Sequence, residues 1–191
     1  MRIGLISDTH IPEAFPHLWP QVLDAFHGVD CIFHAGDIHD LFVLDELEVV
    51  APVYAARGNG EDGSGGRPVQ PEDSRVRYAW LVELDGLKIG LTHYVPVPER
   101  PPQFTLARWI ERFFPEERPD IIVSGDTHVE RIETIDGVLC VNPGSATYPH
   151  NYDTQLGTIG YLDIVGGEAE ASVWQLTEDG IAPFQWGRSW R

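Results

Sequence analysis

Cysteine is scarce in this sequence. Cys31 and Cys140 are the only two, each inside an apolar, strand-like run, and no Cys-x-x-Cys pair occurs. A structural zinc knuckle is therefore not indicated, and two buried free thiols in a reducing compartment are expected rather than a disulfide. Basic residues are also few: 13 Lys and Arg stand against 30 Asp and Glu, for a formal net charge of −17, with no Lys/Arg cluster. Such a surface repels nucleic-acid backbones, which argues against long DNA or RNA as a partner. A small anionic substrate fits only where bound cations make a cleft locally positive. Long apolar runs are missing too. None approaches the roughly 20 residues of a bilayer span. The first apolar stretch, residues 3–6, is followed at once by Asp8 and His10, so it reads as a strand and not as a secretion signal. No membrane partner is expected, and a cytoplasmic location is the default. Neither a repeat nor a linker divides the 191 residues, which suit one domain, 1–191, with a substantial core.

What is present is an alternation. Residues 2–7, 30–35 and 52–56 read as buried strands, and residues 41–50 have helical spacing. Leu18, Val22, Leu23 and Phe26 mark another helix, closed by Gly28. Strand and helix in turn argue a parallel sheet with crossover helices. Residues 60–74 are rich in Gly, Pro and charge and read as a long exposed loop. Asp85-Gly86 and Asp136-Gly137 each sit between strand-like runs, the strongest short hairpin signal. Residues 104–114 form an amphipathic helix, residues 121–124 another buried strand, and residues 158–164 and 170–176 a strand-rich end. Two packed sheets with helices outside follow from this order.

The informative residues sit where strands stop. Asp8 and His10 follow the first strand, Gly36-Asp37 the second and Gly58-Asn59 the third. His93 follows a hairpin arm, and Asp126 and His128 follow the strand at 121–124. Crossover connections return the carboxyl ends of parallel strands to one sheet edge, so five loops can converge on one crevice. Asp8/His10 and Asp126/His128 are i, i+2 pairs, whose side chains share a face if the strand ends are extended. Thr9 and Thr127, between the pair members, would then face away. Three carboxylates, three imidazoles and one amide exceed one tetrahedral ion and suit two ions bridged by a carboxylate. Each signal alone is weak; His93 by itself reads as a satisfied buried histidine. The ordered set has no such bland explanation.

These residues resemble the calcineurin-like metallophosphoesterase superfamily, whose motif order is Asp-x-His, Gly-Asp, Gly-Asn, His, Gly-His-x-His. Asp8/His10, Asp37, Asn59, His93 and Gly125-Asp126-Thr127-His128 follow it. Phe-His-Ala-Gly-Asp at 33–37 and Asn-Pro-Gly-Ser at 142–145 are similar to the small bacterial and archaeal phosphodiesterase branch. That branch includes the eukaryotic retromer scaffold subunit. The resemblance spans residues 1–176 and implies an α/β fold, a four-layer α/β/β/α sandwich of two mixed sheets flanked by helices. It implies Asp8, His10, Asp37 and His128 on one divalent ion, with Asp37 bridging to a second held by Asn59, His93 and Asp126. Manganese is the first expectation, with iron, zinc, nickel and magnesium as alternatives. A metal-bridging hydroxide would attack the phosphorus of a small phosphodiester or phosphomonoester. Asn59 would also donate to a phosphate oxygen.

Three departures from the pattern matter. Asp126 replaces a histidine, so three carboxylates and a hydroxide fully balance two divalent ions, which favours harder metals at the second site. Gly60 stands where phosphoprotein phosphatases carry a histidine acid. His39 is the candidate proton donor in its place, against a plain surface or structural role. Where the branch reads His-Gly-His this chain has His93-Tyr94-Val95, so the second imidazole is missing, and Tyr94 reads as cleft wall or substrate contact. His150 is placed at the cleft rim, His34 in packing or holding a ligand, and His17 and His27 at the surface. The turn at 142–145 is first a rigid turn and secondarily a support for the metal loops. Phe184, Trp186 and Trp190 pack on the body or, in the sharper reading, join a homodimer or higher homo-oligomer. Two other functions fit the same fold: a non-catalytic scaffold, and a one-metal binding protein.

Overall fold

A computed structural model describes residues 1–95, 105–151 and 156–187. Its first sheet is built on short, apolar strands that are buried on both faces, the pattern of parallel pairing. Here β1 (Arg2–Ile6), β2 (Cys31–His34), β3 (Val53–Ala56) and β4 (Val76–Arg77) run parallel. On the other side of β1, β10 (Thr158–Val165), β11 (Glu168–Thr177) and β12 (Gly180–Pro183) add antiparallel strands, giving the order β12-β11-β10-β1-β2-β3-β4. The second sheet has the order β5-β6-β7-β9-β8, from β5 (Ala79–Leu84), β6 (Leu87–Thr92), β7 (Ile121–Val123), β8 (Arg131–Ile135) and β9 (Val138–Asn142). Within it β6, β7 and β9 are parallel, and β5 and β8 are antiparallel edges. Both hairpin turns take the two positive φ angles that a two-residue primed turn needs: 50° and 80° at Asp85-Gly86, 49° and 79° at Asp136-Gly137.

Alternation of side chains sorts the core into layers. Ile3, Leu5 and Phe33 face Ile89, Leu91, Ile121, Val123 and Val141 between the sheets. Ile6, Ile32, Val53 and Ala55 point the other way, under α1 (Pro20–Ala25) and α2 (Phe42–Glu48), which contribute Val22, Val43, Leu44 and Leu47. Ile122, Val138 and Cys140 face outward beneath α4 (Leu106–Phe113). The result is a four-layer α/β/β/α sandwich of two mixed sheets. Pro20 starts α1 where its missing N–H costs nothing, and Thr105 caps α4 by accepting from the Arg108 N–H. Cys31 and Cys140 are free and buried, and burial pushes both thiols up to about 11. None of the helices is long and apolar enough to cross a membrane among the described residues.

Two expectations change. Residues 60–74 are not loop throughout: α3 (Asn59–Asp62) opens the segment, with Gly60 and Glu61 buried. The Glu61 carboxylate turns inward onto backbone N–H groups, so its charge is a poor guide to exposure. The strands β4 and β12 are additions, too short to carry a readable period. Of the aromatic tail, Phe184 is buried and Trp186 is exposed against it, while Trp190 lies outside the described residues, as does the helix start expected at Phe104.

Candidate metal centre

Every parallel strand except β4 ends at one crevice. Past the ends of β1 and β2 the two chains stay paired: Asp8 N donates to Gly36 O at 2.9 Å, His10 N to Asp37 O at 3.0 Å and Ile11 N to Ile38 O at 3.2 Å. They are not extended there. Asp8, His10, Asp37, His39, Asp126 and His128 all have positive φ, between 45° and 75°. The i, i+2 pairs therefore meet through left-handed backbone and not through strand alternation, a correction to the sequence reading. Each such residue costs on the order of 1 kcal/mol, which the surrounding hydrogen bonds must offset. Thr9 does turn away, donating to Ile38 O at 3.2 Å with His34 Nε2 3.1 Å from its hydroxyl. His34 Nδ1 accepts from Gly36 N–H at 3.2 Å, so His34 holds the loop from behind.

Asp37 stands at the middle. One carboxylate oxygen is 3.5 Å from His10 Nε2 and the other is 3.3 Å from His93 Nε2. Beyond His10, His128 Nε2 lies 3.5 Å from Asp8 Oδ1. Beyond His93, Asp126 Oδ1 lies 3.6 Å from the same imidazole nitrogen. Asp8, His10, Asp37, His93, Asp126 and His128 are thus brought together, with Asp37 between two groups of donors. His93 Nδ1 donates to Ala35 O at 2.8 Å and His128 Nδ1 to Tyr148 O at 2.6 Å. A carbonyl can only accept, so both rings present an Nε2 lone pair to the crevice, the arrangement of metal-binding histidines.

Electrostatics point the same way. Burial pushes the Asp8 carboxyl up to about 8, against the lowering influence of His93 and of the Ser7 hydroxyl. Burial drives His10 down to about 3, helped by His39, and lowers His128. His93 is raised: burial opposes its charge, but Asp8, Asp37 and Asp126 together prevail. Among the described residues, the Nε2 atoms of His10 and His93 are buried with no hydrogen-bond partner. Orphaned nitrogens that face carboxylates without forming hydrogen bonds to them fit divalent cations better than they fit one another. Three sets, Asp8–His10–His128, Asp8–Asp37–His93 and His10–Asp37–His39, have ligand atoms within 4.8 Å of one another.

Close approach explains the glycines. A Cβ at Gly58 would lie 2.3 Å from Asp37 Oδ1, and one at Gly125 would lie 2.6 Å from Asp8 Oδ2. Residues 1–167 match the calcineurin-like phosphoesterase superfamily domain. The chain belongs to that superfamily. In class it is a metal-dependent phosphoesterase. It is 33% identical over 173 residues to a probable metallophosphoesterase of Methanothermobacter thermautotrophicus, covering 91% of each chain. It is 31% identical to a phosphodiesterase of Methanocaldococcus jannaschii, covering 85% of this chain and 93% of that one. Its fold is similar to that of vacuolar protein sorting 29 from Cryptosporidium parvum, at TM-score 0.74 and 21% identity over 95% and 94% of the chains. A novel archaeal phosphodiesterase matches at TM-score 0.60 and 28% identity, over 91% and 99%.

The remaining candidates are placed as follows. Asn59 begins α3 beside Gly58 and Gly60, with its amide nitrogen 2.9 Å from where a Gly65 Cβ would sit. Tyr94 is half-buried, its hydroxyl donating to Asp62 at 3.4 Å and its ring against Phe113, so it forms wall between crevice and α4. The exposed His150 ring stacks on His128 at 4.6 Å and stands at the rim. His17 and His27 are exposed. The turn at 142–145 braces the loops directly: Asn142 donates to Gly125 O at 2.7 Å, and Ser145 donates to Asp8 O at 2.7 Å.

Glu61 was not legible as a site residue. Fully buried, it accepts from the backbone N–H of Asp37 at 3.2 Å, His39 at 2.8 Å and Gly58 at 2.8 Å. One carboxylate thereby fixes two loops. The available signal is the three-residue spacing from Gly58 to Glu61, half of a helix capping box. Glu13, likewise unflagged, accepts from His39 Nδ1 at 2.8 Å and from Arg67.

Proposed function

We propose that this protein hydrolyses small phosphodiesters at a two-metal centre, with Asp37 as the bridging carboxylate. The observation that carries the reading is Asp37 presenting one oxygen toward His10 and the other toward His93, both nitrogens otherwise unpartnered. Asp8, His10 and His128 would hold one ion, and His93, Asp126 and Asn59 the other. Bound divalent ions supply Lewis acidity, acidifying a water and neutralising charge on the phosphoryl group. The chain's own residues position that chemistry. Ala35 O and Tyr148 O fix the His93 and His128 tautomers, Glu61 fixes the Asp37 loop, and the Asn59 amide would donate to a phosphate oxygen. His150 and Tyr94 would meet the ester substituents at the rim.

Two features favour a diester over a monoester. Three carboxylates and a hydroxide would leave a pair of divalent ions with no net positive charge, so a dianion would be attracted less well than with the usual ligand set and a monoanion is the easier substrate. Gly60 offers no proton donor, which suits leaving groups that depart as stable anions. The phosphodiesterase relative agrees with this choice.

The test is hydrolysis of bis(p-nitrophenyl) phosphate by metal-stripped protein resupplied with manganese, beside Asp37→Ala. Wild-type activity that requires metal and falls at least about 1000-fold in the variant is expected, given the several kcal/mol that metals supply to such reactions. Absence of hydrolysis with every divalent metal would favour a scaffold, and equal rates in the variant would mean that Asp37 is not in the reacting centre.

A further inference from the structure

His39 is built as a ligand is built. It lies two residues beyond Asp37 with φ 75°, a conformation unusual for histidine, and its backbone N–H is held by Glu61 at 2.8 Å. Its side chain is 9% exposed, and its ring centroid is 4.2 Å from that of His10. Nδ1 is 2.8 Å from Glu13 Oε2, and the other Glu13 oxygen takes Arg67. A carboxylate engaged by arginine is an acceptor, so Nδ1 carries the proton and Nε2 the lone pair. His93 and His128 are anchored through Nδ1 in the same way. His10, Asp37 and His39 have ligand atoms within 4.8 Å of one another. Space for the ring exists because position 60 is glycine: a Cβ there would lie 2.5 Å from His39 Cδ2 and 2.9 Å from Nε2.

We propose that His39 is an additional metal ligand, its Nε2 binding the ion on the His10 side of Asp37. This rests on the two-metal reading above and adds a donor that the superfamily pattern does not use. The consequence is a first site with five protein donors, Asp8, His10, Asp37, His39 and His128. A donor set of that size suits five- or six-coordinate ions such as manganese or iron over tetrahedral zinc. A ring bound to metal through Nε2 has no proton there for the leaving group, so the ligand role replaces the proton-donor role. Glu13 is then a positioning residue that holds the His39 tautomer, with Arg67 holding Glu13.

Cobalt(II) loaded into the metal-stripped full chain is the probe, read by visible absorption and by hyperfine-shifted ring N–H signals in proton NMR. In wild type, the ring protons of His10, His39, His93 and His128 should give four shifted exchangeable signals. His39→Gln should remove one, intensify the cobalt absorption as coordination falls, and weaken cobalt affinity at one site by at least about tenfold. Added imidazole should restore the His39→Ala spectrum. Glu13→Gln, which keeps the ring, should weaken the same site, and it reads the proposal should the His39 variants fail to fold. Two bound ions with three signals in wild type, or an unchanged cobalt spectrum in His39→Gln, would overturn His39 as a ligand while leaving the two-metal reading intact. Wild-type protein that takes up no cobalt would overturn both.

Discussion

Asp8 concentrates the electrostatics of the crevice in a single side chain. It is fully buried, accepts from the Ser7 hydroxyl and the Asp126 N–H, and has its carboxyl pushed up to about 8 by burial. Without cations it is therefore largely protonated at pH 7, and ion uptake must release that proton. Apparent metal affinity should fall by about tenfold per pH unit below pH 8, with the raised His93 steepening the fall, and should level off above it. Isothermal titration in buffers of different ionisation enthalpy checks this through the protons released. Stability has the matching sign. A carboxyl raised in the folded state stabilises the metal-free fold below the unfolded value near 4, and that contribution is lost as pH rises toward 8. His10 and His34, both lowered to about 3 by burial, act oppositely, and their effect is nearly complete by pH 7. Between pH 7 and 8.5 the metal-free melting temperature should thus decline, and excess manganese should abolish the decline.

Among the elements, the loops matter more than the strands that carry them. Glu61 in α3 satisfies three backbone N–H groups from the loops after β2 and β3. Glu61→Ala leaves those donors buried and should cost about 3 kcal/mol or more in urea unfolding, with metal binding lost alongside. Glu61→Gln keeps one acceptor oxygen and should fall between. Gly125→Ala would drive a Cβ to 2.6 Å from Asp8 Oδ2 and should weaken the Asp8-side ion more than the fold itself, as metal stoichiometry would show.

Legibility in the sequence divides along the same line. The apolar runs at β1, β2 and β7 and the two Asp-Gly turns report local preferences, and the structure follows them. The i, i+2 pairing of Asp8/His10 and Asp126/His128 pointed to loops that do converge, but for a reason that does not hold, since their backbone is left-handed. Glu61 and Glu13 look like ordinary surface acids in one dimension. Apart from Gly58, three residues before Glu61, their partners are 22 to 54 residues away in sequence, and only the folded chain shows those.

For the molecule as a whole, a net charge of −17 and a crevice gathering Asp8, Asp37 and Asp126 put acidic groups together where the sheets meet, which in the metal-free state hold a proton on Asp8 and raise His93. Saturating manganese, at about 1000 times its dissociation constant, should add about 4 kcal/mol per ion, and chelation should lower the melting temperature by about 10 °C or more. A scaffold that had given up its metals would show no such gap. The most direct measurement is the anomalous difference map of a crystal grown with manganese. Two peaks should flank Asp37, about 3.5–4 Å apart, one beside Asp8, His10 and His128 and the other beside His93 and Asp126. A single peak, or none near Asp37, would contradict the two-metal centre.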